Sequence, residues 1–246
     1  MAVDFRIVIP ARYASLRLPG KPLREINGKP MIEWVYLAAC QSEASEVVVA
    51  TDDQRIADAV SGFGGSACLT SSAHRSGTDR ILEVTQKLGW SADTIVVNLQ
   101  GDEPLMPSVN ITQVAQLVSR RDCAMATLHK GIDAAAAADP NQVKLVLDKD
   151  GRALYFSRSV IPFDRSGETD QYLGHIGIYA YRGGFIETFS ALPPCDLELA
   201  ESLEQLRCLC NGYSICSELA QASPGPGIDT EQDLARVTEI MAKKAQ

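Results

Sequence analysis

An α/β fold, with a mostly parallel sheet covered by helices on both faces and a smaller antiparallel lobe, is predicted by three observations. Through the first half, apolar runs of strand length alternate with helical periodicities. The runs VVVA (47–50) and TIVVNL (94–99) lack polar alternation, as strands buried on both faces do. After Met125 the strand-like runs are separated by turns instead of long helices, which predicts antiparallel pairing in a lobe spanning about 125–182 of a single domain, 1–246.

In order, Phe5–Ile9 reads as a strand that stops at Pro10, and Met31–Cys40 as a helix. Val47–Thr51 is a strand, Gln54–Phe63 a helix, Thr94–Asn98 a strand and Ser108–Val118 a helix. Val143–Leu147, Ala153–Phe156 and Ile176–Tyr181 read as strands, the first two separated by the turn Lys149-Asp150-Gly151. The polar stretch 163–172 predicts a mobile loop with a turn at Ser166-Gly167. Leu197–Cys210 reads as one helix with Leu199, Leu203, Leu206 and Cys210 on one face, and Glu231–Lys243 as a last amphipathic helix. The run Ala134–Ala138 is short and helix-prone.

With 46% hydrophobic and 22% charged residues among 246, the chain can bury a substantial core. A net charge of −8 argues against nucleic acid as the main partner, so any anion site must be local. The N-terminal apolar run is too short for a signal sequence, and no stretch approaches the ~20 apolar residues of a membrane span. A cytoplasmic protein without membrane insertion is expected. The seven cysteines are expected to be reduced structural thiols. Cys208 and Cys210 diverge by about 200° on a helix and have no histidine nearby, which disfavours zinc.

Chemistry-bearing residues gather where strands end. After the first strand, Pro10, Ala11, Arg12, Arg17, Gly20 and Lys21 place cations and exposed backbone N–H groups at a carboxyl sheet edge, where open α/β sheets bind ligands and phosphate oxygens find donors. The spacing is not that of a Walker loop, since Pro22 follows Lys21. A second strand end, 98–104 (NLQGDEP), supplies Gln100 and Asp102, with Gly101 allowing a tight turn. Asp102 suits Mg²⁺, which takes one or two carboxylates with phosphate and water, or it simply belongs to an acidic helix start. Asp229, in PGIDT before the last helix, is either a second metal ligand or an N-cap.

The loop 73–80 offers Ser76, Thr78 and Arg80 as donors to a pyrimidine around Gly77, while Ser76 with Asp79 also reads as a capping box. Asp52 belongs either to this pocket or to a helix start. In the second half, Arg158 can grip a carboxylate, His175, Gly177 and Tyr179 share one strand face, and Glu204-Gln205 sit opposite the helix leucines.

The segment PARYASLRLPGKPL (10–23) resembles the signature of the cytidylyltransferases that activate 3-deoxy-manno-octulosonate (Kdo). QGDEP (100–104), SGTDR (76–80), YFSR (155–158), HIGIY (175–179), LEQLR (203–207) and GIDTEQDL (227–234) follow in the family's order. The resemblance implies a Rossmann-like nucleotidyltransferase fold and a Mg²⁺-dependent transfer of CMP from CTP to Kdo, releasing pyrophosphate, in lipopolysaccharide biosynthesis. It further implies that Arg12 and Lys21, with Arg17, hold the triphosphate, that Asp102 and Asp229 hold the metal, and that Pro10, Ala11, Asp52, Ser76, Gly77, Thr78, Arg80 and Gln100 line the CTP site. Arg158, His175, Tyr179, Glu204 and Gln205 are implied for the sugar acid, and a homodimer with residues around Ser157–Phe163 near its interface. Sialic-acid enzymes differ in the first loop. Gly174 replaces a residue often basic in the family, which raises the 8-amino analogue of Kdo as an alternative acceptor. A non-catalytic nucleotide-binding protein is the alternative from another class.

Overall fold

The structure, a computed structural model, describes residues 3–15, 17–74 and 76–244. Leu16 and Arg75, which fall within two of the motifs above, lie outside them. Its first half runs β1 (Phe5–Ala11), a 3₁₀ turn (Lys21–Leu23), the small hairpin β2 (Glu25–Ile26) and β3 (Lys29–Pro30), α1 (Met31–Cys40), β4 (Glu46–Thr51) and α2 (Gln54–Gly62). There follow β5 (Ala67–Leu69), α3 (Gly77–Lys87), β6 (Ile95–Asn98) and α4 (Ser108–Arg120). The second half holds β7 (Met125–Asp133), α5 (Ala134–Ala138), β8 (Lys144–Leu147), β9 (Ala153–Ser157), β10 (Gln171–Arg182), α6 (Gly183–Ala191), α7 (Asp196–Glu201), α8 (Leu206–Cys210), β11 (Ile215–Leu219) and α9 (Glu231–Lys244).

The main sheet has the order β11-β7-β10-β6-β1-β4-β5, and β10 alone in that row runs antiparallel to its neighbours. β8 and β9 extend it sideways as an antiparallel pair hung on β10. The period-two geometry of strands splits the valine-rich runs between two cores. Ile7, Ile9, Val47, Val49 and Val97 face α1, α2 and α4, whereas Val8, Val48, Ala50 and Val96 face α3 and α6. A third cluster joins Leu18, Ile26 and Met31 to Ile228, Leu234 and Val237, tying the last helix to the first loop.

Three expectations need correction. β1 does not stop at Pro10 but pairs with β4 through Ala11. Its pairing with β6 ends at Val8, whose carbonyl accepts from Leu99 N–H at 3.1 Å. Pro10, two residues on, points the same way, toward a strand that has already diverged, so its missing N–H costs no ladder bond.

The helix over 197–210 is broken in two. Ser202 takes a left-handed conformation (φ 52°) at the end of α7, and the chain turns back before α8. Tertiary contacts enforce the break: Glu201 accepts from Ser157 Oγ (2.6 Å) and Arg158 N–H (2.9 Å), locking α7 to the end of β9. Leu203 and Leu206 are buried as expected, but Leu199 is 66% exposed.

The expectation of seven reduced thiols fails at Cys195 and Cys210, which form a disulfide, while Cys40, Cys68, Cys123, Cys208 and Cys216 are free. A continuous helix would hold residues 15 apart at about 22 Å. The reversal at Ser202 brings their Cα atoms to 6.7 Å.

Candidate active site

The carboxyl ends of β1 and β6 open onto a cleft of about 190 Å³ lined by Pro10, Ala11, Arg12, Lys21, Gly101 and Asp102, among others. One contact between the two loops that form it requires a glycine. A Cβ on Gly101 would sit 2.8 Å from the Pro10 carbonyl oxygen. Gly101 is not at positive φ, so it is required for close approach rather than for the tight turn expected of it.

Lys21 stands at the centre of the charges. Its ammonium donates to Asp102 Oδ2 at 2.5 Å and to Asp229 Oδ1 at 2.8 Å, and Arg17 reaches the same Asp229 oxygen at 3.0 Å. Burial lowers the Lys21 pKa, but the two carboxylates outweigh it and the net shift is upward, so the group stays charged. Two acids far apart in sequence therefore reach a single cation. Their oxygens suit a hard divalent ion whose remaining ligands are phosphate and water. Among the described residues no cluster of three or more His, Cys, Asp or Glu is placed to hold a metal.

The question left open at Asp229 is resolved by its neighbour. Thr230 Oγ1 accepts from Asp233 N–H (3.2 Å) and Asp233 Oδ2 accepts from Thr230 N–H (2.9 Å), so Thr230 caps α9 and Asp229 is released for the cleft. The last turn is pinned beside the acidic loop by Ile228 N–H donating to the Asp102 carbonyl at 3.0 Å. Next to Asp102, burial foremost and the Asp102 charge second push the Glu103 carboxyl up to about 8.

Asp52 is also resolved. Asp53 caps α2 by accepting from Arg55 N–H (3.0 Å), while Asp52 lies 3.4 Å from Arg80 on α3. Arg80 is fully buried and donates to Thr70, yet its Nε and one terminal nitrogen have no hydrogen-bond partner, leaving donors unspent beside the end of β4. Ser76 and Asp79 form the expected capping box at α3. Thr78 does not offer its hydroxyl freely: it donates to Glu204 at 3.1 Å. Gly77 is open apart from ordinary contact with Pro10, and Gln100 donates to Asn98 at 3.1 Å.

The predicted acceptor residues assemble around β10, whose Tyr179 pairs with Asn98 of β6 and so abuts the cleft. His175 and Tyr179 share a face, with ring centroids 5.4 Å apart, and Phe156 packs edge-on against His175. Thr127 Oγ1 donates to the Ile178 carbonyl at 2.8 Å, which leaves it to accept from His175 Nε2 at 3.0 Å and assigns Nδ1 as the free acceptor. Burial, reinforced by His129, lowers His175 to about 3. Glu204 Oε1 and Gln205 Nε2 are buried without partners in the turn between α7 and α8.

Arg158 differs from its expected role as a free cation. Its guanidinium donates to the carbonyls of Glu201 (2.7 Å), Pro140 (3.0 Å) and Ser202 (3.4 Å), splicing three segments behind the turn. Gly174 faces Ile132 and Gln142, on the opposite side of β10 from His175 and Tyr179. Its absent side chain therefore gives no reason to expect a different acceptor.

Sequence reasoning missed Thr70, which anchors Arg80, and Tyr181, whose buried hydroxyl lies near Thr78 and Asn98. It also missed Lys144, which is wholly buried with its ammonium on the Asp139 and Arg158 carbonyls. Two residues past the marked Tyr179, Tyr181 was within reach of the alternation rule. Thr70 and Lys144 carried no local signal.

A mostly parallel sheet whose carboxyl edge brings the Lys21 ammonium onto carboxylates from two separate turns is built as a nucleotidyltransferase fold. Residues 6–215 match the cytidylyltransferase family. The chain is 52% identical to the 3-deoxy-manno-octulosonate cytidylyltransferase of Vibrio vulnificus, over 99% of this chain and all of that one, and 51% identical to that of Vibrio cholerae, with the same coverage. It is also similar to a solved CMP:2-keto-3-deoxy-manno-octonic acid synthetase complexed with CTP, at 48% identity and a TM-score of 0.92, covering 98% of this chain and 99% of that one. The chain belongs to the cytidylyltransferase family, and within it to the 3-deoxy-manno-octulosonate cytidylyltransferases.

Proposed function

We propose that this protein transfers CMP from CTP to the anomeric hydroxyl of Kdo with release of pyrophosphate, acting as a single catalytic unit in lipopolysaccharide biosynthesis. The observation that carries this is the meeting of Lys21, Asp102 and Asp229, three motifs up to 208 positions apart, at the mouth of one cleft. The similarity to relatives named for this reaction, and to a synthetase solved with CTP, supports the same substrates.

Arg12 and Lys21, with Arg17, neutralise the triphosphate, while Pro10, Ala11 and Gln100 border it. Ser76, Gly77, Thr78 and Arg80 select the cytosine, with Asp52 fixing Arg80. Asp102 and Asp229 would hold Mg²⁺, which when bound supplies Lewis-acid polarisation of the phosphate and lowers the pKa of the attacking hydroxyl. His175, Tyr179, Glu204 and Gln205 orient the sugar acid, and Arg158 holds their turn in place. No side-chain nucleophile is needed, because in-line positioning and charge neutralisation carry phosphoryl-type transfer.

No helix among the described residues is long and apolar enough to cross a membrane; a cytoplasmic location is part of the same proposal, because CTP and a sugar acid are water-soluble substrates. A homodimer through the surface around 157–163 agrees with the exposure of Val160 (40%) and Phe163 (86%).

Pyrophosphate release is the test, with CTP and Mg²⁺ against Kdo, 8-amino-Kdo and N-acetylneuraminate, and with metal-free controls. Magnesium-dependent release that is fastest with Kdo is expected. Silence with all three sugars, from protein that still binds CTP, would overturn the catalytic reading in favour of a regulatory nucleotide-binding role.

A further inference from the structure

The turn carrying Glu204 is flanked by a buried ion pair that the reaction itself does not use. Arg207 on α8 and Glu198 on α7 are 9% and 8% exposed. They are joined in a two-pronged contact, Nε to Oε2 at 2.8 Å and a terminal nitrogen to Oε1 at 2.5 Å. The Arg207 guanidinium also lies 5.2 Å from the Phe189 ring of α6, which fixes its plane. The same terminal nitrogen stops 4.0 Å short of Glu204 Oε1. That is close enough for attraction and too far for a hydrogen bond.

Glu204 is thus tied by one oxygen to Thr78 of the nucleotide side, at 3.1 Å, while its other oxygen is buried and unspent. A buried carboxylate oxygen without a donor is costly unless a nearby charge offsets it, and Arg207 is the cation that faces this one. Burial raises the Glu204 pKa on balance, and the nearby Ser76 and Thr78 hydroxyls and the Arg207 charge hold the rise down. A buried ion pair is at best weak support for stability, so its retention beside this carboxylate calls for another reason. Freed from Glu198, Arg207 would close the 4.0 Å gap to Glu204 Oε1 and pull the carboxylate inward, away from the acceptor. Without Arg207, the carboxylate would lose the cation that favours its charged form.

We propose that Arg207, held off by its two-pronged contact with Glu198, is a positioning residue that keeps Glu204 anionic and draws Oε1 inward, so that the exposed remainder of the side chain is aimed at a hydroxyl of the acceptor sugar. The role rests on the reading that Glu204 contacts the acceptor. It assigns specificity for a polyhydroxylated sugar acid to a pair that touches neither substrate.

The test is steady-state kinetics on the full-length enzyme with Glu204→Gln, Arg207→Lys, Glu198→Gln and the double variant Arg207→Lys/Glu204→Gln, alongside melting curves. Losing a charged hydrogen-bond acceptor should raise the KM for the sugar acid roughly tenfold in Glu204→Gln. Arg207→Lys and Glu198→Gln should raise it severalfold with the KM for CTP unchanged, and the double variant should be no worse than Glu204→Gln alone. Glu198→Gln keeps the shape of the partner, so the question stays answerable if Arg207→Lys melts early. Additive effects, or equal shifts in both KM values, would reduce the pair to scaffolding and overturn the proposal. If Glu204→Gln raises the sugar KM while neither partner variant does, the acceptor contact stands and the positioning role falls. An unchanged sugar KM in Glu204→Gln would remove the acceptor contact itself, and the role built on it.

Discussion

Lys21 shows how little a single residue's identity says without its surroundings. In the sequence it is one of three cations in its loop, with Arg12 and Arg17; in the fold its ammonium bridges the acids of two distant motifs. Lys21→Met should therefore lower turnover by roughly 10²-fold or more, the scale of losing one charge-stabilising donor. The KM for the sugar should change far less, and rapid-quench measurement of CMP transfer would separate the two. His175 supports a pH prediction. The unfolded chain binds a proton at this histidine near 6.5, whereas the folded protein binds it only near 3. Between those values the unfolded state holds more protons, so stability is full above pH 6.5 and falls as the pH drops. From pH 7 to pH 5 the wild type should lose about 2 kcal/mol more than His175→Gln, at ~1.4 kcal/mol per pH unit below 6.5. Urea unfolding at the two pH values reads this, and equal losses would mean that His175 is not kept neutral by burial.

At the scale of elements, the break between α7 and α8 decides where Glu204 and Gln205, the residues proposed for the acceptor, lie. The leucine spacing over 197–210 satisfies a helix, but Glu201 on the end of β9 and Arg158 on the Glu201 and Ser202 carbonyls offer more than continued helix would. Ser202 carries the reversal at φ 52°, a region glycine enters at little cost and β-branched residues avoid. Ser202→Gly should leave stability unchanged or raise it by a few tenths of a kcal/mol, and Ser202→Val should lower it by about 1–2 kcal/mol. The valine variant should also raise the KM for the sugar, since Glu204 and Gln205 follow directly. Thermal unfolding and steady-state kinetics check both, and a valine as stable as serine would show that the reversal tolerates other geometry. Helices α1, α2 and α4 were legible to within a residue or two, because each pairs a strong apolar period with a clear stop, whereas α3 was marked only by its capping box. β7 and β11 were not, because Thr127, His129 and Ser217 are buried polar residues whose hydrogen bonds come from neighbouring strands and are invisible in a local window.

Over the whole molecule, the chain closes on itself. α9 packs against the first loop through Ile228, Leu234 and Val237, and Arg24 reaches Glu231 with two donors. The two ends of the chain therefore build one site. The second consequence at this scale concerns assembly. If the surface around Phe163 is the dimer contact, Phe163→Glu should turn a micromolar dimer into a monomer in sedimentation velocity while leaving the melting curve of the monomer intact. A dimer that survives the substitution would put the interface elsewhere.

What the sequence determined by itself was local: alternating apolar periods set the strands and helices of the sheet, and abrupt strand ends rich in Gly, Pro and charge marked the site's loops. Its acids and cations could be named because phosphate and metal chemistry demands those residue types. Tertiary structure decided everything that depends on which groups are already taken. Thr230 takes the helix cap and releases Asp229; Asp53 does the same for Asp52; Thr78 is spent on Glu204, and Arg158 on carbonyls. A side chain's chemistry is written in the chain, but its availability depends on hydrogen-bond partners that only folding brings within 3 Å or so.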